Sequence, residues 1–165
     1  MFAGYSVRFT TSIPMSSAQV TTVIAKTLGI DQKRAEQLKM QYGLQGDEGV
    51  EGKKVHDAVL SSFTVFVDEI HKYMSYYESH IGHQHLPRGN MYIKKVLLCG
   101  GGANLPGLTE FLTQRLRIET LLGDPWINIL PKPYKELPPL AFEDSIRYTT
   151  ALGLALRGVQ EEEST

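Results

Sequence analysis

Three consecutive glycines stand where an apolar run ends, in Val96-Leu-Leu-Cys-Gly-Gly-Gly-Ala-Asn-Leu-Pro-Gly-Leu108. Peptide without Cβ atoms turns sharply and lets a flat or anionic ligand lie directly on the backbone, so Gly100, Gly101, Gly102 and Ala103 make the first candidate site. The segment has neither the Lys-Ser/Thr ending of a P-loop nor the spacing of a dinucleotide fingerprint, and those two phosphate-binding mechanisms do not apply. Glu36 and Lys39 make the second candidate. Three apart on a helix they are neighbours, an acceptor and a donor for one polyhydroxyl group such as a ribose. Each feature has a plainer alternative: a tight structural turn for the glycines, and for the pair an exposed ion pair that stabilises its helix by about 0.3 kcal/mol.

Other reactive residue types carry less. His80, His83 and His85 are spaced for one metal ion, but the only carboxylate near them is Glu78 and no thiolate is present, so a solvated helix end is expected and no metal site is assigned. His56 and His71 ride the same helix as surface or boundary residues. Cys99 is the single cysteine, which excludes an internal disulfide, fits a reducing compartment and reads as a small core residue. No catalytic residue is assigned.

The elements that must position these residues follow from hydrophobic period and punctuation. Tyr5 to Ile13 alternates apolar and polar residues, as a half-buried strand does, and ends at Pro14. Ser16 or Ser17 caps a helix with Val20, Val23, Ile24 and Leu28 on one stripe, stopped by Gly29. Asp31 caps a second helix, Gln32 to about Tyr42, closed by Gly43. A long helix runs from Lys53 to about Ile81. Ile93 to Cys99 reads as a strand buried on both faces, followed by the glycines and a helix carrying Leu108, Phe111, Leu112 and Leu116. Trp126 to Leu130 reads as a further strand, and Pro131 to Pro139 as an extended connection. The last helix runs from about Glu143 to Arg157, with Ala151, Gly153 and Ala155 small enough to approach a sheet closely.

These elements order as an α/β layer built from both ends of the chain, residues 1–14 and 93–160, with a helical subdomain over 15–92 inserted and a disordered acidic tail over 161–165. A length of 165 residues fits one core, and 42% apolar with 21% charged residues is ordinary for a folded globular chain. The formal net charge of -1 provides no broad attraction for nucleic acid or anionic lipid. No apolar stretch reaches the roughly 20 residues of a membrane-spanning helix.

The Gly-Gly-Gly-Ala segment, Ala35-Glu36-x-x-Lys39 and the closing Tyr148-Thr-Thr-Ala-Leu-Gly-Leu-Ala-Leu-Arg157 together resemble the actin-like ATPase superfamily. Within it, Ile13-Pro14, the helix from Thr21 and Thr22 to Leu28, Phe66-Val-Asp-Glu-Ile70 and Asp124-Pro125 look like the PilM family of type IV pilus assembly proteins, with FtsA-like division proteins the nearest alternative. The similarity spans about Phe9 to Arg157.

That resemblance implies an incomplete actin-like, ribonuclease H-like second domain in which adenosine lies between two subdomains. It implies that Gly101, Gly102 and Ala103 line the purine and phosphate side of ATP, and that Glu36 and Lys39 hold the ribose. Relatives also carry two hairpin loops that clasp phosphates and magnesium, each near an Asp-x-Gly type sequence. Neither is found here, so Met1 is expected to mark a fragment start, and the fragment to bind nucleotide weakly, without magnesium dependence, and not to hydrolyse it. A PilN-like inner-membrane protein is the implied partner, bound mainly through a missing first domain, with the chain cytoplasmic and peripheral to the membrane through that partner. The competing expectation is an interaction module with no working nucleotide site. In that reading the long helix docks a partner or a second copy, because Phe63, Phe66, Tyr73, Tyr76 and Tyr77 exceed what a small subdomain can bury, and self-association is one outcome.

Overall fold

The computed structural model describes residues 1–3, 6–45, 49–80, 92–130 and 138–163. Helices α1 (Ser17–Leu28), α2 (Gln32–Tyr42) and α3 (Gly49–His80) pack on one another. Helix α1 opens with a capping box: Ser16 Oγ accepts from the Gln19 N–H at 3.2 Å, and Gln19 Oε1 accepts from the Ser16 N–H at 2.7 Å. Because Ser16 takes the capping role, Ser17 is left free for another partner. Gly29, at φ 68°, ends α1 in the left-handed conformation. The Asp31 carboxylate accepts from the Arg34 N–H at 2.9 Å and opens α2. Helix α3 starts earlier than its apolar period suggested, at Gly49. Inside it Gly52 lets the Tyr42 ring close in, since a Cβ there would lie 3.1 Å from the ring edge.

The second half of the described chain holds β3 (Lys95–Leu98), a 3-10 turn over Gly101–Asn104, α4 (Leu108–Leu116) and β4 (Glu119–Leu122). Strands β3 and β4 are parallel, in register from Lys95 opposite Glu119 to Leu98 opposite Leu122. The helix between them supplies the crossover that parallel strands require. One apolar cluster runs from Val20 and Ile24 of α1 through Leu38, Val55, Val59 and Phe63 to Leu105, Leu108 and Leu112. Phe63 meets Phe111 edge to face at 6.2 Å, so the helical lobe and the sheet lobe share this core.

Several sequence expectations are corrected. The stretch Ser6 to Ile13 is not one strand: β1 (Phe2–Ala3) and β2 (Ser6–Val7) pair antiparallel in a short sheet separate from β3 and β4, so among the described residues no layer joins the two ends of the chain. The Met1 ammonium donates to the Phe9 carbonyl at 2.6 Å, and the Phe9 ring sits among Tyr73, Tyr76 and Tyr77 at 5.8–6.5 Å. Docking on α3 takes the place of strand pairing. The same contacts, with Phe63 against Phe66 at 5.8 Å, give ring partners to the aromatics assigned above to self-association, while Tyr76 stays 48% exposed.

Trp126 to Leu130 is a succession of turns, set up by the Asp124 carboxylate accepting from the Trp126 N–H at 2.9 Å. The strand is Glu119–Leu122 instead. Among the described residues the pair β3 and β4 is covered on one face only; Leu97 is 63% exposed and Leu121 lies beside it on the open side. Cys99, expected in the core, is exposed. The final helix is divided into α5 (Phe142–Ser145), a 3-10 turn over Ile146–Tyr148 and α6 (Thr149–Glu163). Ala151, Gly153 and Ala155 are exposed and approach no sheet among the described residues, and the helix continues through Glu161 to Glu163 where a disordered tail was expected. Among the described residues no helix is long and apolar enough to cross a membrane.

Leu38 is fully buried where the three helices meet. Truncating it as Leu38→Ala leaves a cavity and lowers unfolding free energy by about 2–5 kcal/mol, measured by denaturant titration; a loss well below this would mean that the lobe is not tightly packed there.

Candidate functional site

A cavity of about 290 Å³ opens between the two lobes. Ser17, Lys39 and Met40 line it from α1 and α2; Gly101, Gly102 and Ala103 line it from the 3-10 turn. Phe63 and Leu112 are part of its largely apolar surface. Four of the six site residues singled out in the sequence are therefore brought to one place. Glu36 and Gly100 are not among the lining residues, though each is bonded next to one that is.

On the glycine side, Gly100 has φ 88° and its N–H donates to the Ile146 carbonyl at 3.1 Å. That bond, and one of 2.6 Å from Asn104 Nδ2 to the Glu143 carbonyl, tie the turn to α5 and the fully buried Ile146. Gly101 and Gly102 are exposed; a Cβ on Gly102 would meet nothing within 4 Å. The peptide there is bare, with space beside it. Ala103 differs, since it is buried and contributes to packing as much as to the cavity wall. Asn104 Oδ1 is buried without a hydrogen-bond partner among the described residues, the type of atom that costs about 1–3 kcal/mol when left unpaired.

On the helical side the Lys39 side chain is buried, with only 3% of its surface exposed. Its Nζ lies 2.6 Å from Ser17 Oγ, 2.7 Å from Glu36 Oε2, 2.9 Å from Thr21 Oγ1 and 3.2 Å from the Ser17 carbonyl. An ammonium has three protons, so these acceptors consume them all. The expected exposed pair with a free donor is corrected to a buried cation that holds α1 against α2. Thr21 Oγ1 also donates to Glu36 Oε2, while Glu36 Oε1 has no hydrogen bond among the described residues. Ser17 Oγ accepts from Lys39 and keeps its own proton to donate. The sequence reading gave Ser17 only a capping role and Thr21 no site role; their i, i+4 spacing on one helix face was the available signal.

Partial burial pulls the Glu36 carboxyl pKa up, but the hydrogen bonds from Lys39 and Thr21 and the Lys39 charge outweigh it and hold the group below its ordinary value. Among the remaining candidates, Cys99 is one of the cavity-lining residues, and its Sγ lies 2.6 Å from where a Cβ on Gly123 would be. His80 stacks on Tyr76 at 4.3 Å and contacts Ser79 Oγ at 2.8 Å; His83 and His85 lie outside the described residues. No group of three His, Cys, Asp or Glu side chains among the described residues is placed to hold a metal ion.

The family model described as type IV pilus assembly protein PilM matches residues 7–159. The chain belongs to that PilM family. Among solved structures, it is similar to a chain of a "PilM-PilN type IV pilus biogenesis complex", with TM-score 0.66 and 25% identity over 87% of this chain and 37% of that one. This PilM-family chain thus spans little more than a third of the length of that solved relative. No curated protein matches it. The partial PilM-like fold is mixed, largely helical, with the small parallel pair β3 and β4 beside it.

Because the folded Glu36 carboxyl titrates below its unfolded counterpart, its contribution to stability is complete above the unfolded value of about 4.3 and is lost as pH falls through the lower folded value. Denaturant midpoints followed from about pH 7 to about pH 3 should fall less for Glu36→Gln than for the parent chain over this window. Parallel curves would remove the Lys39 network as the cause.

Proposed function

We propose that this chain is the adenosine-binding half of a PilM-like, actin-like ATPase that acts in type IV pilus assembly. The observation that carries the reading is the single cavity shared by Lys39 and the exposed peptides of Gly101 and Gly102. A volume of about 290 Å³ is close to the lower end of small-ligand sites, roughly 300–1,000 Å³, and suits a nucleoside better than a whole nucleotide. Bare peptide and apolar side chains such as Phe63 suit the flat faces of a purine. The Ser17 hydroxyl, at the cavity wall, supplies a donor for a ribose hydroxyl; Lys39 fixes it from behind and holds the Glu36 carboxylate just outside the lining. ATP bound in this way would contribute its phosphates at the open side of the glycine turn, where partial positive charge from exposed N–H groups favours anions.

The chain's own residues bind and orient in this scheme; none is assigned a bond-making step. Phosphoryl transfer needs charge arranged around the transferring group, and the residues placed here surround the adenosine end. Nucleotide occupancy would instead bias the spacing of the two lobes, and through it the affinity for a partner. The relative's PilM-PilN complex motivates a PilN-like membrane protein as that partner, and a peripheral position at the inner membrane through it. A second reading, an interaction module without a nucleotide site, draws support from the Lys39 ammonium being fully committed to protein acceptors.

Calorimetry with adenosine and with ATP, with and without magnesium, separates the two. The expected result is binding with a dissociation constant on the order of 0.1 mM for both ligands, insensitive to magnesium. Gly102→Leu is the matching variant. Its side chain enters open space, so the melting temperature should stay within a few degrees of the parent's, while the affinity falls at least tenfold. Absence of adenosine binding by the parent chain, or undiminished binding by Gly102→Leu, would reject the nucleotide reading.

A further inference from the structure

The elements that form the two walls of the cavity are also joined outside its lining, by a contact of backbone on backbone. Gly43, which ends α2, has φ 50° and ψ -125°, a combination that favours glycine. A Cβ there would lie 2.4 Å from the Pro106 carbonyl oxygen and 2.8 Å from Pro106 Cδ. The Leu44 N–H donates to the same Pro106 carbonyl at 2.8 Å. From the other side, Gly107, at φ 77°, would place a Cβ 3.0 Å from Gln45 Cγ and 3.1 Å from the Gln45 nitrogen. Two glycines from separate lobes are thus pressed against each other's flanking peptides.

Short bonds lead from this contact to both cavity walls. The Gly43 N–H donates to the carbonyl of Lys39 itself at 2.9 Å. Across the contact, the residue before Pro106 is Leu105, whose N–H approaches the Gly102 carbonyl at 3.4 Å. Lys39, Gly43, Leu44, Pro106, Leu105 and Gly102 therefore form a continuous backbone path from one wall to the other. A displacement at its centre cannot be taken up by a flexible side chain, because backbone faces backbone.

We propose that Gly43 and Pro106–Gly107 are a clasp that sets the separation of the Lys39 wall from the Gly101–Gly102 wall, and so determines how thick a flat ligand the cavity accepts. The proposal rests on the adenosine reading for the identity of the ligand, but the clasp itself is a property of the fold. A methyl group at Gly43 must move Pro106 away by about 1 Å to restore an ordinary contact. Gly29 provides the control: it has a similar positive φ, yet a Cβ there meets nothing within 4 Å. Gly29→Ala carries left-handed strain without wedging the lobes apart.

Spin labels at Gln37→Cys on α2 and Lys95→Cys on β3, in a Cys99→Ser background, report the separation by electron–electron resonance. Gly43→Ala should lengthen or broaden the distance distribution relative to the parent, and Gly29→Ala should leave it unchanged. In parallel, adenosine affinity should fall at least tenfold for Gly43→Ala and remain within twofold of the parent for Gly29→Ala. If Gly43→Ala does not fold, Gly107→Ala takes its place, since its contacts of 3.0 and 3.1 Å need a smaller movement. An unchanged distance in the folded variant overturns the clasp. A changed distance with parental affinity overturns its role in ligand fit. Failure of the parent chain to bind adenosine rejects the nucleotide reading, while the label distances still decide the clasp.

Discussion

The buried ammonium of Lys39 is the constraint on which the helical lobe is arranged. A cation removed from water is costly unless its protons are all taken, and here two hydroxyls, a carbonyl and a carboxylate oxygen take them. Those acceptors come from α1 and from α2, so the charge fixes the angle and rotation of one helix on the other. Ser17 can serve because Ser16 performs the capping. The apolar stripe of α1 specifies only that the helix packs, whereas the ammonium specifies where along its length it must meet α2.

The sheet lobe is joined to this assembly in two ways. Phe63 and Phe111 extend the apolar core across the boundary, and the peptides of Gly43 and Pro106 meet without intervening side chains. The first contact is non-directional and tolerates small shifts; the second fixes a distance. The cavity lies between the same two lobes, with bare glycine peptide and the buried lysine both in its lining.

The open side of β3 and β4 belongs to the same picture. Parallel strands are ordinarily covered on both faces, and Leu97 and Leu121 with the exposed small residues of α6 depart from that rule. This chain corresponds to 37% of the length of the solved relative it resembles, and the sequence pattern of β3, continuously apolar from Val96 to Leu98, is the pattern of a strand with two covered faces. The pattern thus conveyed an environment that the described residues do not themselves provide. Trp126 to Leu130 failed differently: the Asp124 side chain captures the Trp126 N–H, and a local side-chain bond outweighed β propensity.

Sequence alone determined the features whose physics is local. Caps at Ser16 and Asp31, stops at Gly29 and Gly43, the long apolar period of α3 and the glycines after β3 depend on residues within a turn or two of each other, so they were legible in one dimension. Tertiary structure decided what those features face. Whether Glu36 and Lys39 form a solvated pair or a buried anchor depends on Ser17 and Thr21 from another helix, and Phe9 left a possible strand for a cup of tyrosines more than sixty residues away. Burial and desolvation are set by groups distant in sequence, and no local pattern encodes the dielectric that a side chain will meet.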